Sequence, residues 1–151
     1  MAPIPIALCG KSSGMAGSFA KSMLPEYEVI HHFPSTSAAH AELSPLLRGE
    51  IFTPQSSVGT DSHRPHTDKP RIPRAIMVGA GFSESELDEM RQIEGAESVP
   101  WLYPDPLKSA ASALSGPFLM MVIVRRVKGC LRANGVVEGQ EGGAKSGVWK
   151  F

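Results

Sequence analysis

Residues 4–17 read IPIALCGKSSGMAG, a short apolar run that ends at Gly10 and passes directly into a loop punctuated by glycine. The apolar run predicts a buried strand. Apolar residues at helical spacing follow the loop and predict a helix that stops before Pro25. A strand that enters a helix through such a loop is the repeating unit of a parallel α/β sheet.

The same unit recurs along the chain. Further strands are predicted at 27–33, 75–78 and 99–103, each followed by a segment of helical periodicity. Alternating strands and helices build a parallel sheet that is covered on both faces. The sequence therefore predicts an α/β fold: a small Rossmann-like or flavodoxin-like three-layer domain with a parallel sheet of four to five strands.

Capping residues mark where the helices begin. Ser37 is expected to cap the second helix. Ser83 and Glu86 have the spacing of a capping box at the third. Residues 118–124 are apolar throughout and fit either the start of the last helix or a fifth strand, so both assignments stay open.

The length of 151 residues fits one domain. We predict a single domain over residues 1–138. Residues 52–74 are rich in Pro, Ser, Thr, His and Asp, which indicates a flexible insertion. Residues 139–151 begin with a glycine-rich stretch and are expected to form a loose C-terminal tail.

Composition excludes several classes of protein. Lys plus Arg and Asp plus Glu are both 15, so the net charge is zero, which argues against a nucleic-acid binder and a polybasic membrane anchor. Neither a signal peptide nor a membrane span is evident, and the two cysteines are expected to be reduced thiols. The predictions are a cytoplasmic protein, no membrane or nucleic-acid partner, and no metal site.

In open parallel sheets, ligands bind beyond the carboxyl ends of the strands, at the point where the strand order reverses. The residues that follow the predicted strands are therefore the candidate binding residues. The predicted substrate-binding set is Ser13, Gly79, Gly81, Ser83, Trp101 and Tyr103.

The first loop has the spacing G-x-x-x-G-x-x-G and resembles the glycine-rich loop of NAD(P)-binding Rossmann domains. Two features weigh against a dinucleotide: residues 31–33 read His-His-Phe where an acidic residue is expected, and little chain is left for a substrate domain. We expect no cofactor, with NADP(H) as the alternative. If a nucleotide binds, the loop residues that hold it are Gly10, Lys11, Ser12, Gly14 and Gly17.

Three residues are candidates for catalysis. Adjacent strand residues point to opposite faces, so at most one of His31 and His32 faces the cleft, and His32 is chosen as the acid or base. Asp105 is held stiffly between two prolines and could act as a base, or it could form an Asx turn or helix cap. Arg125 and Arg126 lie on a mostly apolar predicted helix, where one of them could clamp a carboxylate or enolate or both could face solvent, and Arg125 is chosen.

Three segments together resemble a known group of proteins: PWLYPD at 100–105, VGAGFS at 78–83 and GVW at 147–149. They look like the small, stand-alone Rossmann-like proteins of filamentous fungi. Some members of that group act in polyketide pathways as cyclases, including the aurovertin-type pyrone-forming cyclase. The resemblance implies a cofactor-independent cyclase that closes a lactone or pyrone ring on a polyketide-like substrate.

Three functions therefore stay open. The first is a cyclase of fungal secondary metabolism that works by general acid and base catalysis. The second is an NAD(P)-binding, oxidoreductase-like module. The third is a non-catalytic interaction protein that forms a homodimer through its last helix and the apolar residues 148–151.

Overall fold

The computed structural model describes residues 3–63, 71–105, 117–138 and 146–151. Within these residues, five strands and four helices alternate along the chain, with short 3-10 turns at Thr60–His63 and Ala96–Ser98. The elements are β1 (Ile4–Cys9), α1 (Ser13–Met23), β2 (Tyr27–Phe33), α2 (Thr36–Leu47), β3 (Ile76–Val78), α3 (Glu84–Arg91), β4 (Pro100–Tyr103), α4 (Pro117–Ala133) and β5 (Gly147–Lys150).

The strands form one sheet in the order β2-β1-β3-β4-β5, and every neighbouring pair is parallel. This is the flavodoxin-like order, in which the direction of winding reverses between β1 and β3. The predicted α/β class and parallel sheet are confirmed. The sheet also fixes the switch point at the two strands that end in Gly10 and Gly79.

The fifth strand comes from a segment that the sequence analysis assigned to a loose tail. Val148 and Trp149 pair with Trp101 and Leu102 of β4. The tail prediction for 139–151 is therefore wrong for Gly147–Lys150, while residues 139–145 lie outside the described residues. The apolar segment 118–124 belongs to α4, which settles the alternative left open above.

Two apolar layers enclose the sheet. Helices α2 and α3 cover one face, around Leu43, Met90 and Trp101. Helices α1 and α4 cover the other, around Phe19 and Val127. None of the described helices is long and apolar enough to cross a membrane.

The helix starts follow the capping rules with one correction. The capping box of Ser83 and Glu86 is present, as predicted. Helix α2 is capped by Ser35, whose hydroxyl accepts the Ala38 N–H at 3.0 Å, and not by Ser37. Ser35 is the last extended residue before the helix, whereas Ser37 already lies in the first turn.

Residues 52–63, here called the strap, lie against β2. Gly59 packs on the strand backbone so closely that a Cβ there would lie 2.5 Å from the Ile30 carbonyl oxygen. Arg71 forms ion pairs with Glu28 of β2 and Asp61 of the strap. The described part of the predicted flexible insertion is therefore anchored to the sheet, because polar contacts compensate for its few apolar residues.

Candidate functional site

A pocket of about 580 Å³ opens at the carboxyl ends of β1 and β3. Leu8 and Gly10 of β1 and its loop form part of the wall, with Met77 and Gly79 of β3 beside them. The pocket lies on the α1 and α4 side of the sheet. The pocket lies at the switch point, the place at which doubly wound folds bind ligands.

Apolar side chains make up most of the wall. Helices α1 and α4 face each other across the pocket, and the ends of β4 and β5 add one residue each. Met15 is 53% exposed and stands at the surface end. Removal of hydrocarbon from water drives binding to such a surface. The apolar residues from these elements are Met15, Ala16, Phe19, Leu119, Met120, Val122, Ile123, Pro104 and Phe151.

Two cations line the same pocket, and they differ in their partners. The Lys11 ammonium lies 3.1 Å from both carboxylate oxygens of Glu86 and 5.0 Å from the centre of the Phe82 ring. Arg126 has no hydrogen-bond or ion-pair partner among the described residues. The charge of Lys11 is thus offset by a neighbouring carboxylate, and the charge of Arg126 is not.

Glu86 is held from two sides. Its carboxylate accepts the Ser83 backbone N–H at 2.9 Å as well as the Lys11 ammonium. Both contacts favour the ionised form, so they lower the pKa of Glu86 below its ordinary value. The ion pair therefore joins the loop after β1 to the first turn of α3.

The described lining contains no His, Cys, Asp or Glu side chain. A search of the described residues also finds no group of three His, Cys, Asp or Glu side chains able to hold a metal ion. The described lining therefore offers a ligand apolar contact, two cations, the Ser12 hydroxyl and backbone groups.

One curated relative settles the family. It is the Kojic acid related protein 6 of Aspergillus oryzae, 34% identical over 130 residues, which span 84% of this chain and 75% of the relative. The chain belongs to the kojic acid related protein 6 family. No protein-family model and no solved structure matches it.

In this member of the kojic acid related protein 6 family, the glycine loop lines the pocket only in part. Gly10, Lys11 and Ser12 are lining residues, whereas Gly14 and Gly17 are not. A Cβ on Gly17 would meet no heavy atom within 4 Å, and no glycine of the loop has a positive φ. The third glycine of dinucleotide folds allows close packing of helix on strand, and Gly17 has no such contact.

Of the predicted substrate-binding residues, only some line the pocket. Gly79 and Gly81 line the pocket, whereas Ser13 lies exposed at the start of α1 and Ser83 caps α3. Trp101 and Tyr103 are buried in the α2 and α3 layer, on the opposite face of the sheet. There, Trp101 donates to the Ala96 carbonyl at 2.9 Å and Tyr103 to the Phe82 carbonyl at 2.7 Å.

His32 is a buried structural link. Its Nε2 lies 2.6 Å from the Gly10 carbonyl oxygen and its Nδ1 lies 2.6 Å from the Ser56 hydroxyl. The carbonyl only accepts, so Nε2 donates and Nδ1 accepts from Ser56 in the neutral imidazole. Burial lowers the pKa of His32. The histidine thus ties the first loop to the strap and is not part of the described pocket lining.

The other two predicted catalytic residues also lie outside the described lining. Arg125 is exposed, and the next residue, Arg126, lines the pocket instead. Asp105 follows the lining residue Pro104, and its backbone N–H donates to the Phe151 carbonyl at 2.8 Å. The structure does not bring Asp105, His32 and Arg125 together around the pocket.

Of the two arginines, sequence reasoning chose Arg125 over Arg126, and it did not name Phe151 as a site residue. Arg126 follows Met120 and Ile123 at intervals of three, so helical periodicity places these three residues on one face. Phe151 is buried against the α1 and α4 layer because β5 brings it beside the end of β4. Only the pairing of β5 gives Phe151 this position, and no local signal predicts it.

Proposed function

We propose that this protein acts in fungal secondary metabolism as a cofactor-independent cyclase, closing a pyrone or lactone ring on a polyketide-derived acyl chain. The relative in Aspergillus oryzae is named for kojic acid, a secondary metabolite. The segments at 78–83, 100–105 and 147–149 support the finer assignment through their resemblance to fungal polyketide cyclases.

The observation that carries the proposal is the apolar pocket at the switch point. Its volume of about 580 Å³ lies within the usual range of small-molecule sites. Most of its described wall is hydrocarbon, and its polar side chains are Lys11, Ser12 and Arg126. Such a wall favours a ligand that is largely hydrocarbon with few polar groups.

Ring closure of this kind makes modest chemical demands. The enol oxygen of a 3,5-dioxoacyl thioester attacks the thioester carbonyl, a C–O bond forms, the C–S bond breaks, and the thiol leaves with the enol proton. A binding pocket helps by folding the chain so that the reacting atoms meet. It also excludes the water that would hydrolyse the thioester.

Charge develops on the carbonyl oxygen during the attack, and cations placed there lower the barrier. Arg126 is the lining group that we assign to this role, since its charge has no partner among the described residues. Asp105, next to the lining residue Pro104, is our candidate for accepting the enol proton.

The residues at the first loop and at the end of β2 disfavour a dinucleotide. The Glu86 carboxylate lies at Lys11, where it would repel the phosphates that a glycine loop usually binds. His31, His32 and Phe33 at the end of β2 are each at most 2% exposed, so they offer no accessible group to a ribose. We propose that no nicotinamide cofactor takes part, and expect titration with NADPH to give no saturable heat.

The test is the reaction itself. The purified chain is incubated with a synthetic 3,5-dioxodecanoyl N-acetylcysteamine thioester, and pyrone and free thiol are followed by chromatography and thiol titration. We expect pyrone to form faster than in buffer, and Asp105→Asn to lower kcat by about 100-fold or more. The matched control is Asp88→Asn, an exposed carboxamide substitution on α3. Pyrone formation at the buffer rate would refute the proposed activity.

A further inference from the structure

We infer that Arg126 is the anchor for an acidic head group, and that the pocket takes an amphipathic monoanion: a medium-length apolar chain that ends in a carboxylate or enolate. This inference names the ligand class of the pocket in the proposed function, but it does not depend on the reaction.

The charges around the pocket carry the first step. Of the two cations in the described lining, Lys11 is paired with Glu86 at 3.1 Å, and Arg126 has no partner among the described residues. A single uncompensated guanidinium in a mostly apolar wall attracts one negative charge, and it binds a carboxylate with two parallel hydrogen bonds. A polyphosphate would bring charges that this wall does not balance.

The arrangement along α4 carries the second step. Met120, Ile123 and Arg126 recur every three residues and all line the pocket. Long helical side chains lean toward the helix N-terminus, so the guanidinium of Arg126 reaches back toward the apolar residues of the preceding turn. From Met120 to Arg126 the helix rises about 9 Å. An acid held at Arg126 thus lies beside the apolar residues of the preceding turns, Ile123 and Met120.

The surface end of the pocket carries the third step. The lining residue Met15 is 53% exposed, and Leu119 and Met120, in the first turn of α4, line the pocket on the N-terminal side of Arg126. Phe118 and Met121 are 67% and 61% exposed and lie outside the described lining. The ligand therefore lies with its head at Arg126 and its chain directed toward the start of α4.

The experiment compares octanoate with octanol, which have chains of the same length and differ in charge. Calorimetry on the full chain measures both, together with inorganic phosphate, for the unmodified protein, Arg126→Gln, Arg126→Lys and Arg125→Gln. We expect octanoate to bind at least about tenfold more tightly than octanol, the size of a hydrogen bond to a charged group. Arg126→Gln removes that preference, Arg126→Lys keeps part of it, and Arg125→Gln keeps it whole. Phosphate gives no saturable heat.

Several outcomes would overturn the inference: no octanoate binding, equal binding of octanoate and octanol, saturable binding of phosphate, or a loss of preference in Arg125→Gln instead of Arg126→Gln. Circular dichroism shows whether each variant is folded. If Arg126→Gln does not fold, Arg126→Lys provides the test of the anchor. Arg126-dependent binding of octanoate without pyrone formation would refute the cyclase and support the anchor. Pyrone formation that Arg126→Gln leaves unchanged would refute both the anchor and the assignment of Arg126 to the carbonyl oxygen, while the cyclase activity itself would stand.

Discussion

His31 Nε2 lies 2.8 Å from Glu42 Oε1, and both side chains are buried. The pair joins β2 to α2 beneath the strap. The rings of Phe33 and Phe52 meet His31 edge-on, at centroid distances of 4.5 and 5.2 Å. Burial disfavours both charges: it raises the pKa of Glu42, and with the nearby His32 it lowers the pKa of His31 to about 4.

The low pKa of His31 predicts a loss of stability in mild acid. The unfolded chain takes up a proton at the ordinary pKa of 6.5, whereas the folded protein resists protonation down to about pH 4. The contribution of His31 is therefore complete above pH 6.5 and is lost as the pH falls toward 4. It amounts to roughly 3 kcal/mol. Urea unfolding at a series of pH values measures it.

The variant His31→Gln isolates this effect, because its amide still donates to Glu42 and does not titrate. Glu42 changes the stability in the opposite direction, because its raised pKa favours folding at low pH. Glu42 is present in both proteins and therefore contributes to both pH profiles. We expect the His31→Gln protein to lose less stability than the unmodified protein between pH 6.5 and 4. His40→Gln, at an exposed pair with Glu89, should keep the full loss. Equal pH profiles for His31→Gln and the unmodified protein would contradict the assignment.

The strap provides the second prediction, through Gly59. A Cβ at this position would lie 2.5 Å from the Ile30 carbonyl oxygen and 2.6 Å from the His31 Cα, and these are backbone atoms of β2, which is held by its pairing with β1. Gly59→Ala is expected to displace the strap from β2 and to lower the free energy of unfolding by about 1–3 kcal/mol. Hydrogen exchange at residues 56–62 should become faster as the strap loses its contacts.

Gly17→Ala is the matched control. It lies within α1, has nothing within 4 Å of the added Cβ, and has no positive φ. We expect it to stabilise the protein by roughly 0.5–1 kcal/mol, because alanine loses less backbone entropy in a helix. A Gly59→Ala protein as stable as the unmodified one would show that the strap is not seated on β2 in solution.

The fold was predictable from local patterns, and the finer geometry was not. Apolar runs that end at Gly10 and Gly79 gave the strands, whereas only the strand order of the sheet locates the switch point between β1 and β3. All residues of β4 are buried, so polarity does not show on which face of the sheet Trp101 lies. Trp101 packs under α2 and α3, and Leu102 packs on the face that carries the pocket. Adjacent residues on α4 point in directions about 100° apart around the helix axis. Apolar spacing alone did not show whether Arg125 or Arg126 faces the pocket. Strand β5 depends on pairing with β4, which no short-range signal encodes.

The contact between Lys11 and Glu86 gives the last prediction. Glu86→Gln keeps the reach-back hydrogen bond of the capping box, because glutamine serves there as well as glutamate. It removes the negative partner of Lys11, so a second cation at the pocket becomes uncompensated. We expect octanoate to bind several-fold more tightly to Glu86→Gln, with the thermal stability nearly unchanged. Added salt should cancel the gain, since Lys11 is about half exposed and its field is screened.

Glu84→Gln is the control for this change. It lies on the same turn of α3, but its partner is Lys150 at 3.7 Å, and Lys150 is not part of the described pocket lining. We expect its affinity for octanoate to equal that of the unmodified protein. Equal gains in both variants would point to the overall charge of the protein and not to Lys11. No gain in Glu86→Gln would mean that Lys11 contributes nothing to the field in the pocket, and that Arg126 acts alone.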